Sequence, residues 1–203
     1  MEGLVGLVIV AVLVAFLGPA LKEMIIRSRT TRCLANMKVL HTAFMLHIGD
    51  RNGILLRYRE GEFSDDGVWQ NTGPFWREQL FPYLQGYRKT PNAYLDCPAE
   101  TVLKREDWHY GMNALVSEDR TTAERLQNIA LPSRRFLLGD SNKESRIGRV
   151  VANDCAFRHG QDRANFLFFD GHVESRDYRQ IPIPDNGFSK TSPEYRAWWL
   201  GAD

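Results

Sequence analysis

This chain has almost no excess of either charge. Its 26 basic and 25 acidic residues leave a formal charge of +1, mixed along the sequence beyond residue 21. A chain held to nucleic acid by phosphate contacts carries a clear basic excess, so nothing here points to nucleic acid. Cysteine is scarce: Cys33, Cys97 and Cys155 are all there is. An odd count permits one disulfide and one free thiol, and certifies neither an oxidising nor a reducing compartment. No HExxH, CxxC pair, GxSxG or P-loop occurs, which removes the short motifs that announce zinc proteases, redox pairs, hydrolases and nucleotide sites. Internal repeats and low-complexity segments are absent too. The most informative absence is local. Between Gly3 and Leu21 there is no charged residue and no Asn, Gln or His.

That stretch, GLVGLVIVAVLVAFLGPAL, is long enough as a helix to cross the ~30 Å hydrocarbon core of a bilayer. A buried core helix would carry a polar face, and a cleaved signal segment is shorter and follows a basic n-region. The reading is a membrane-resident helix. Lys22, Arg27, Arg29 and Arg32 follow it, either among lipid headgroups or as an ordinary solvated helix face; a strict positive-inside reading would put that side in the cytoplasm. The helical pattern then continues. Ile26, Cys33, Met37, Leu40 and Phe44 share one face at 100° per residue, with His47 at its edge. Val39 and Leu46 lie opposite, so the last turns present two apolar faces, one for the chain's own sheet and one for another subunit. Gly49-Asp50-Arg51-Asn52-Gly53 is a stop signal. One helix is expected from about Gly3 to Ile48, kinked near Gly18-Pro19.

The remainder is short and punctuated. Ile54-Leu55-Leu56 reads as a short strand, and the polar, Gly-rich run from Arg59 to Gly73 as a loop anchored by Trp69. Phe75–Leu84 reads as a short helix packing Trp76, Leu80 and Leu84 and ending near Pro82. Thr121-x-x-Glu124 forms a capping box for a short helix to about Ile129. Strands are expected over 108–113, 135–139, 165–169 and 172–176, the last two joined by a type I′ turn at Asp170-Gly171. A terminal helix, Pro193–Leu200, carries Trp198 and Trp199, which dock on the domain or meet a partner. The fold class is α+β: a long N-terminal helix whose second half packs on a small antiparallel sheet. Residues 1–21 form the membrane half of the helix, 22–49 its amphipathic stem and 50–203 the globular head.

These residues carry a resemblance spanning nearly the whole chain. Glu2 precedes the apolar run and Pro19-Ala20-Leu21 closes it; Cys33-Leu34-Ala35-Asn36-Met37-Lys38 follows on the stem. Then come Asp50-Arg51-Asn52-Gly53, Leu95-Asp96-Cys97-Pro98, Tyr110-Gly111-Met112-Asn113, and Pro132-Ser133 with Leu137-Leu138-Gly139-Asp140-Ser141. Arg158-His159 and Ala164-Asn165-x-Leu167-Phe168-x-Asp170-Gly171-His172-Val173 end the series. In this order they resemble bacterial type IV pilin-like proteins of the pseudopilin kind, with a prepilin-type N-terminal helix and a C-terminal H-X9-DG motif. Two departures stand out. The family's short basic leader ending in Gly does not precede Glu2, so leader processing and N-methylation are not carried over. His159 is separated from Asp170-Gly171 by ten residues, not nine.

The resemblance implies a non-enzymatic, single-pass subunit of the bacterial inner membrane, its head periplasmic or extracellular. Such a subunit joins a type IV pilus or type II secretion pseudopilus through its helix, with like or related pilin subunits as partners. Glu2 would meet a neighbour's N-terminal amine, or else sit at the headgroups, where an acid suits the helix dipole. His159, Asn165, Asp170, Gly171 and His172 form the family motif. That motif is read as architectural: Asp170-Gly171 turns the hairpin, while His159 and Asn165 hold the incoming loop through backbone hydrogen bonds, with no unusual pKa required of the His. Cys33 and Cys97, both in family landmarks, are the disulfide candidates, with Cys97–Cys155 as runner-up. The rival class is a membrane-anchored metal-binding or enzymatic ectodomain using His159, Asp170 and His172, with Asp154, Cys155 and Asp162 nearby. No cofactor is expected; calcium is the first ion to consider in the C-terminal loop. A ligand-binding head would rest only on Trp69, Phe75 and Trp76.

Overall fold

A computed structural model of the chain describes residues 2–57, 59, 62–63, 69–70, 72–84, 94–100, 109–116, 124–142, 146–147, 154–160 and 162–202, with side chains for all but 2–5, 7–10, 62–63, 69–70 and 146. The expected roles of the Glu2 side chain, Trp69, Trp108 and the Thr121 capping box lie outside the described residues.

Helix α1 runs from Glu2 to Asp50 as one element, through Pro19. It stops where the sequence signals it. The amide of Gly53 donates to the Ile48 carbonyl at 2.9 Å, and Asn52 and Gly53 take φ of 54° and 81°, the left-handed conformation that ends helices. Among the described residues no helix is long and apolar enough to cross a membrane; side chains 2–5 and 7–10, on which much of the expected span falls, are not among them.

The head is built on a five-stranded sheet. After two short strands that pair antiparallel where a loop was expected, β1 (Glu62–Phe63) and β2 (Trp69–Gln70), come β3 (Tyr110–Asn113), β4 (Phe136–Asp140), β5 (Arg146–Ile147), β6 (Arg163–Phe168) and β7 (Val173–Asp177). The large sheet has the order β5-β3-β4-β6-β7. Four strands pair antiparallel, with Gly111 opposite Gly139, Gly139 opposite Phe166 and Asn165 opposite Ser175. They fall where the β-rich runs of the sequence put them. The short β5 adds a parallel edge beside β3, which the sequence did not suggest.

Both faces of the sheet are buried; alternate residues point to opposite sides, and a register shift between Phe136 and Leu138 turns these two apart. Tyr110, Met112, Leu138 and Leu167 join Cys33, Met37, Leu40, Phe44 and Ile48 of α1 in one core. Phe136, Phe166 and Phe168 face the other way, onto Trp198 and Trp199 of helix α3 (Pro193–Leu200). The terminal tryptophans therefore dock on the chain's own domain. Helix α3 is capped by the Ser192 side chain, which accepts from the Tyr195 amide at 3.3 Å, and ends at left-handed Gly201. Short helix α2 (Trp76–Leu80) continues as a 3-10 turn through Pro82, and Trp76 stacks on Phe44 with ring centroids 5.7 Å apart.

Several expectations need correction. Ile26 was expected on the buried face but is 50% exposed; the covered part of the stem begins near Cys33. Ile54 makes a single bridge to Arg125 and no strand. Only a 3-10 turn, Leu126–Asn128, stands where a helix to Ile129 was expected, and Glu124 pairs with buried Arg135. The hairpin turn is not type I′. Gly171 has φ +90°, but Asp170 has no positive φ, and the Phe168 amide reaches the His172 carbonyl at 3.0 Å. The loop is thus three residues, Phe169 to Gly171, with glycine at its left-handed position. Phe169, the first loop residue, continues the alternation of β6: it is 3% exposed in the α1-side core and its amide donates to the Arg135 carbonyl.

Candidate functional site

Where α1 enters the head, four segments bring polar side chains together in the core. Cys33 lies on the buried face of α1. Cys97 follows the Tyr94–Asp96 turn, Asp140 ends β4, and His159 sits in the bend before β6, its backbone paired with Arg163. Their exposures are 0%, 2%, 0% and 4%. The two sulfurs are 3.0 Å apart, well outside a disulfide bond of about 2.05 Å, and all three cysteines are free. His159 Nε2 lies 2.9 Å from Asp140 Oδ2 and 3.7 Å from Cys97 Sγ; Asp140 Oδ1 is 3.6 Å from Cys33 Sγ.

A second layer orients these groups. The Thr30 hydroxyl is 3.2 Å from His159 Nδ1, which leaves Nε2 turned inward. The Tyr110 hydroxyl is 3.1 Å from Cys33 Sγ, and the Asn165 amide group approaches the same sulfur at 3.8 Å. The Asn165 backbone N–H donates to Asp140 at 2.6 Å, and the Cys97 N–H donates to His109 Nδ1 at 3.0 Å. Asn36 holds the Cys97 segment to α1 by donating to the Asp96 carbonyl at 3.0 Å. Nearby, half-buried Arg158 pairs with Glu100 at 3.2 Å.

Burial pushes the Cys33 thiol well above its ordinary pKa, helped by its contacts with Cys97 and Asp140. The hydrogen bond between the two sulfurs acts oppositely on Cys97; against the cost of burial, and with His159 assisting, it lowers that thiol to about 6. Burial disfavours a charged His159, but the hydrogen bonds to Asp140 and Cys97 outweigh it and raise the imidazole to about 9. The expectation of an ordinary His held by backbone contacts is therefore corrected: the ring's partners are a carboxylate, a thiol and a hydroxyl.

The layout differs from that of a nucleophile–base triad. In such a triad the His takes a thiol proton on one nitrogen and is held by a carboxylate on the other. Here Cys97 and Asp140 share Nε2, and Nδ1 belongs to Thr30.

The other sequence candidates fall elsewhere. Asp170 and His172 pair at the exposed hairpin turn, His172 also reaching Glu174 at 3.2 Å and stacking on Phe168. Asp162 takes φ 52° in the turn before β6, and Cys155 is buried in the core on the α3 side. The structure thus brings together His159, Asn165, Cys33 and Cys97, and separates them from Asp170 and His172. Sequence reading missed Asp140 and Tyr110, although both stand in quoted landmarks. Compared with protein families, curated proteins and solved structures, the chain matches none of them.

Proposed function

We propose that this chain is a non-enzymatic, single-pass subunit of the bacterial inner membrane. Its head lies on the periplasmic or extracellular side, and its N-terminal helix assembles with like or related pilin-type subunits into a type IV pilus or type II secretion pseudopilus-like fibre. One observation carries this reading: α1 extends beyond the head as bare apolar surface. Val12, Leu13, Val14, Phe16 and Leu17 are 48%, 53%, 65%, 79% and 55% exposed, and Met24, Ile25 and Ile26 are at least half exposed. A contiguous apolar surface of that extent is a lipid or protein contact surface in waiting. The sequence before it stays uncharged back to Gly3. The stem supports the assembly half of the reading, since Val39 and Leu46 stay 37% and 51% exposed while Met37, Leu40 and Phe44 are buried against the sheet.

The test is extraction of the full chain from bacterial membranes. It should stay in the pellet through alkaline carbonate and leave it in detergent. A Leu13→Arg, Phe16→Arg double variant should be released by carbonate, because each charge costs roughly 2.5–3.5 kcal/mol in a bilayer-centred helix. Release of the unaltered chain by carbonate would remove the membrane reading.

A further inference from the structure

We propose that Cys33, Cys97, Asp140 and His159 form a closed structural site for a zinc-class divalent ion, which staples helix α1 to the head. The inference does not rest on the assembly reading above; it concerns only how the head holds its helix.

The donor set is the first reason. One ligand atom from each residue lies within 4.8 Å of every other, and all four side chains are buried. Tetrahedral zinc, with bonds of about 2.0–2.3 Å, holds its ligand atoms roughly 3.3–3.8 Å apart. The close approaches here, from 2.9 to 3.7 Å, bracket the lower part of that range. Cys33 and Cys97 need to open from 3.0 Å by less than ~1 Å. Two thiolates and an imidazole suit a borderline-soft ion; calcium takes six to eight oxygens, and this cluster supplies one carboxylate.

The surrounding hydrogen bonds are the second reason. A zinc-bound imidazole uses its second nitrogen to donate to a fixed acceptor, which sets the ring's orientation. Thr30 Oγ1 occupies that place at Nδ1, so Nε2 is the nitrogen aimed at the sulfurs and the carboxylate. Zinc-bound thiolates accept hydrogen bonds, and Tyr110 and Asn165 both approach Cys33 Sγ. Access is available on the His159 side, where a groove lined by Ile26, Thr30, Arg163 and Ser175 opens to solvent.

The third reason is topological. The four ligands come from α1, the segment after Asp96, the end of β4 and the bend before β6. One ion there ties α1 and the Cys97 segment to the paired strands β4 and β6. With four protein ligands no position stays open for substrate, which marks a structural and not a catalytic centre. Binding takes both sulfurs as thiolates and His159 as the neutral imidazole, so it releases the protons those groups still carry.

The test uses the full chain in detergent, purified without added chelator, with a separate portion alkylated at lysis for mass analysis of its cysteines. Elemental analysis should find about one zinc per chain. Cobalt exchanged into the site should give the intense visible absorption of tetrahedral thiolate coordination. His159→Ala should lose most of the metal, and His159→Cys, which restores a fourth ligand, should recover it; both carry the same change at Thr30, so recovery separates ligation from folding. Mass analysis showing a Cys33–Cys97 disulfide would overturn the proposal. So would a chain that stays metal-free after equilibration with zinc, or full metal retention in both His159→Ala and Cys97→Ser.

Discussion

Gly171 is the position where the hairpin's geometry is easiest to break. Its φ of +90° is strained for any residue with a Cβ, and a Cβ there would come within 2.8 Å of the His41 ring. The left-handed conformation costs an L-residue about 1–2 kcal/mol. The His41 ring can turn away, but it then gives up its hydrogen bond to the Phe169 carbonyl, 3.0 Å long, worth about 1 kcal/mol. Gly171→Ala should therefore destabilise the head by roughly 2–3 kcal/mol, and Gly171→Val by more, because β-branching resists positive φ. The two contributions can be separated. In a His41→Ala background only the backbone part should remain, so the double-mutant cycle should show a coupling of about 1 kcal/mol. Denaturant unfolding of the four proteins in detergent, followed by tryptophan fluorescence, measures all of this. If Gly171→Ala costs less than about 0.5 kcal/mol in both backgrounds, the turn does not need its left-handed residue, and the reasoning fails.

Gly139 lies mid-sheet, where an added Cβ would sit 2.7 Å from both Ile147 and Phe166. Gly139→Ala should cost about 1–3 kcal/mol by overpacking, seen as a lowered melting temperature; an unchanged melt contradicts the packing. Arg135, 1% exposed, is held by Glu124 and by the Leu115 carbonyl at 2.9 Å. Glu124→Ala should cost about 2–3 kcal/mol, somewhat below a fully buried pair because Glu124 is 28% exposed; a loss under 0.5 kcal/mol in the same melts would make the pair a surface one. A C-terminal reporter active only in the cytoplasm should stay silent on the full chain, despite the basic residues after Leu21, and an active reporter would place the head on the wrong side for a pilin-type subunit.

The parts of the fold that rest on periodicity were readable. Cys33, Met37, Leu40 and Phe44 recur at helical spacing, and all four are buried. The alternation in Arg163–Phe168 put Phe166 and Phe168 on one face. The turn was located correctly but typed wrongly. Asp-Gly suits both a two-residue turn and a three-residue loop, and the pairing of Phe168 with His172 that decides for the longer one leaves no mark in the local sequence. The buried cluster was half visible. Cys33, Cys97, Asn165 and His159 were each singled out, but no local spacing links residues 33, 97, 140 and 159, which meet only because β4 and β6 pair beneath α1. Asp140 looked like the end of an apolar strand. The acids that seemed better placed, Asp162 and Asp170, sit in turns, where short polar side chains tolerate or cap unusual backbone.

The central claim is that α1 is a contact surface for other subunits along its uncovered length. Site-specific photocrosslinking in intact cells tests it most directly, with the reactive residue placed in turn at Phe16, Val39 and Leu46, all exposed and apolar. The account predicts a ladder of covalent adducts rising by the mass of a pilin-type subunit from each position, while a control at buried Leu40 crosslinks only within its own chain. Adducts to lipid alone from Phe16, with no intersubunit product from Val39 or Leu46, would contradict it.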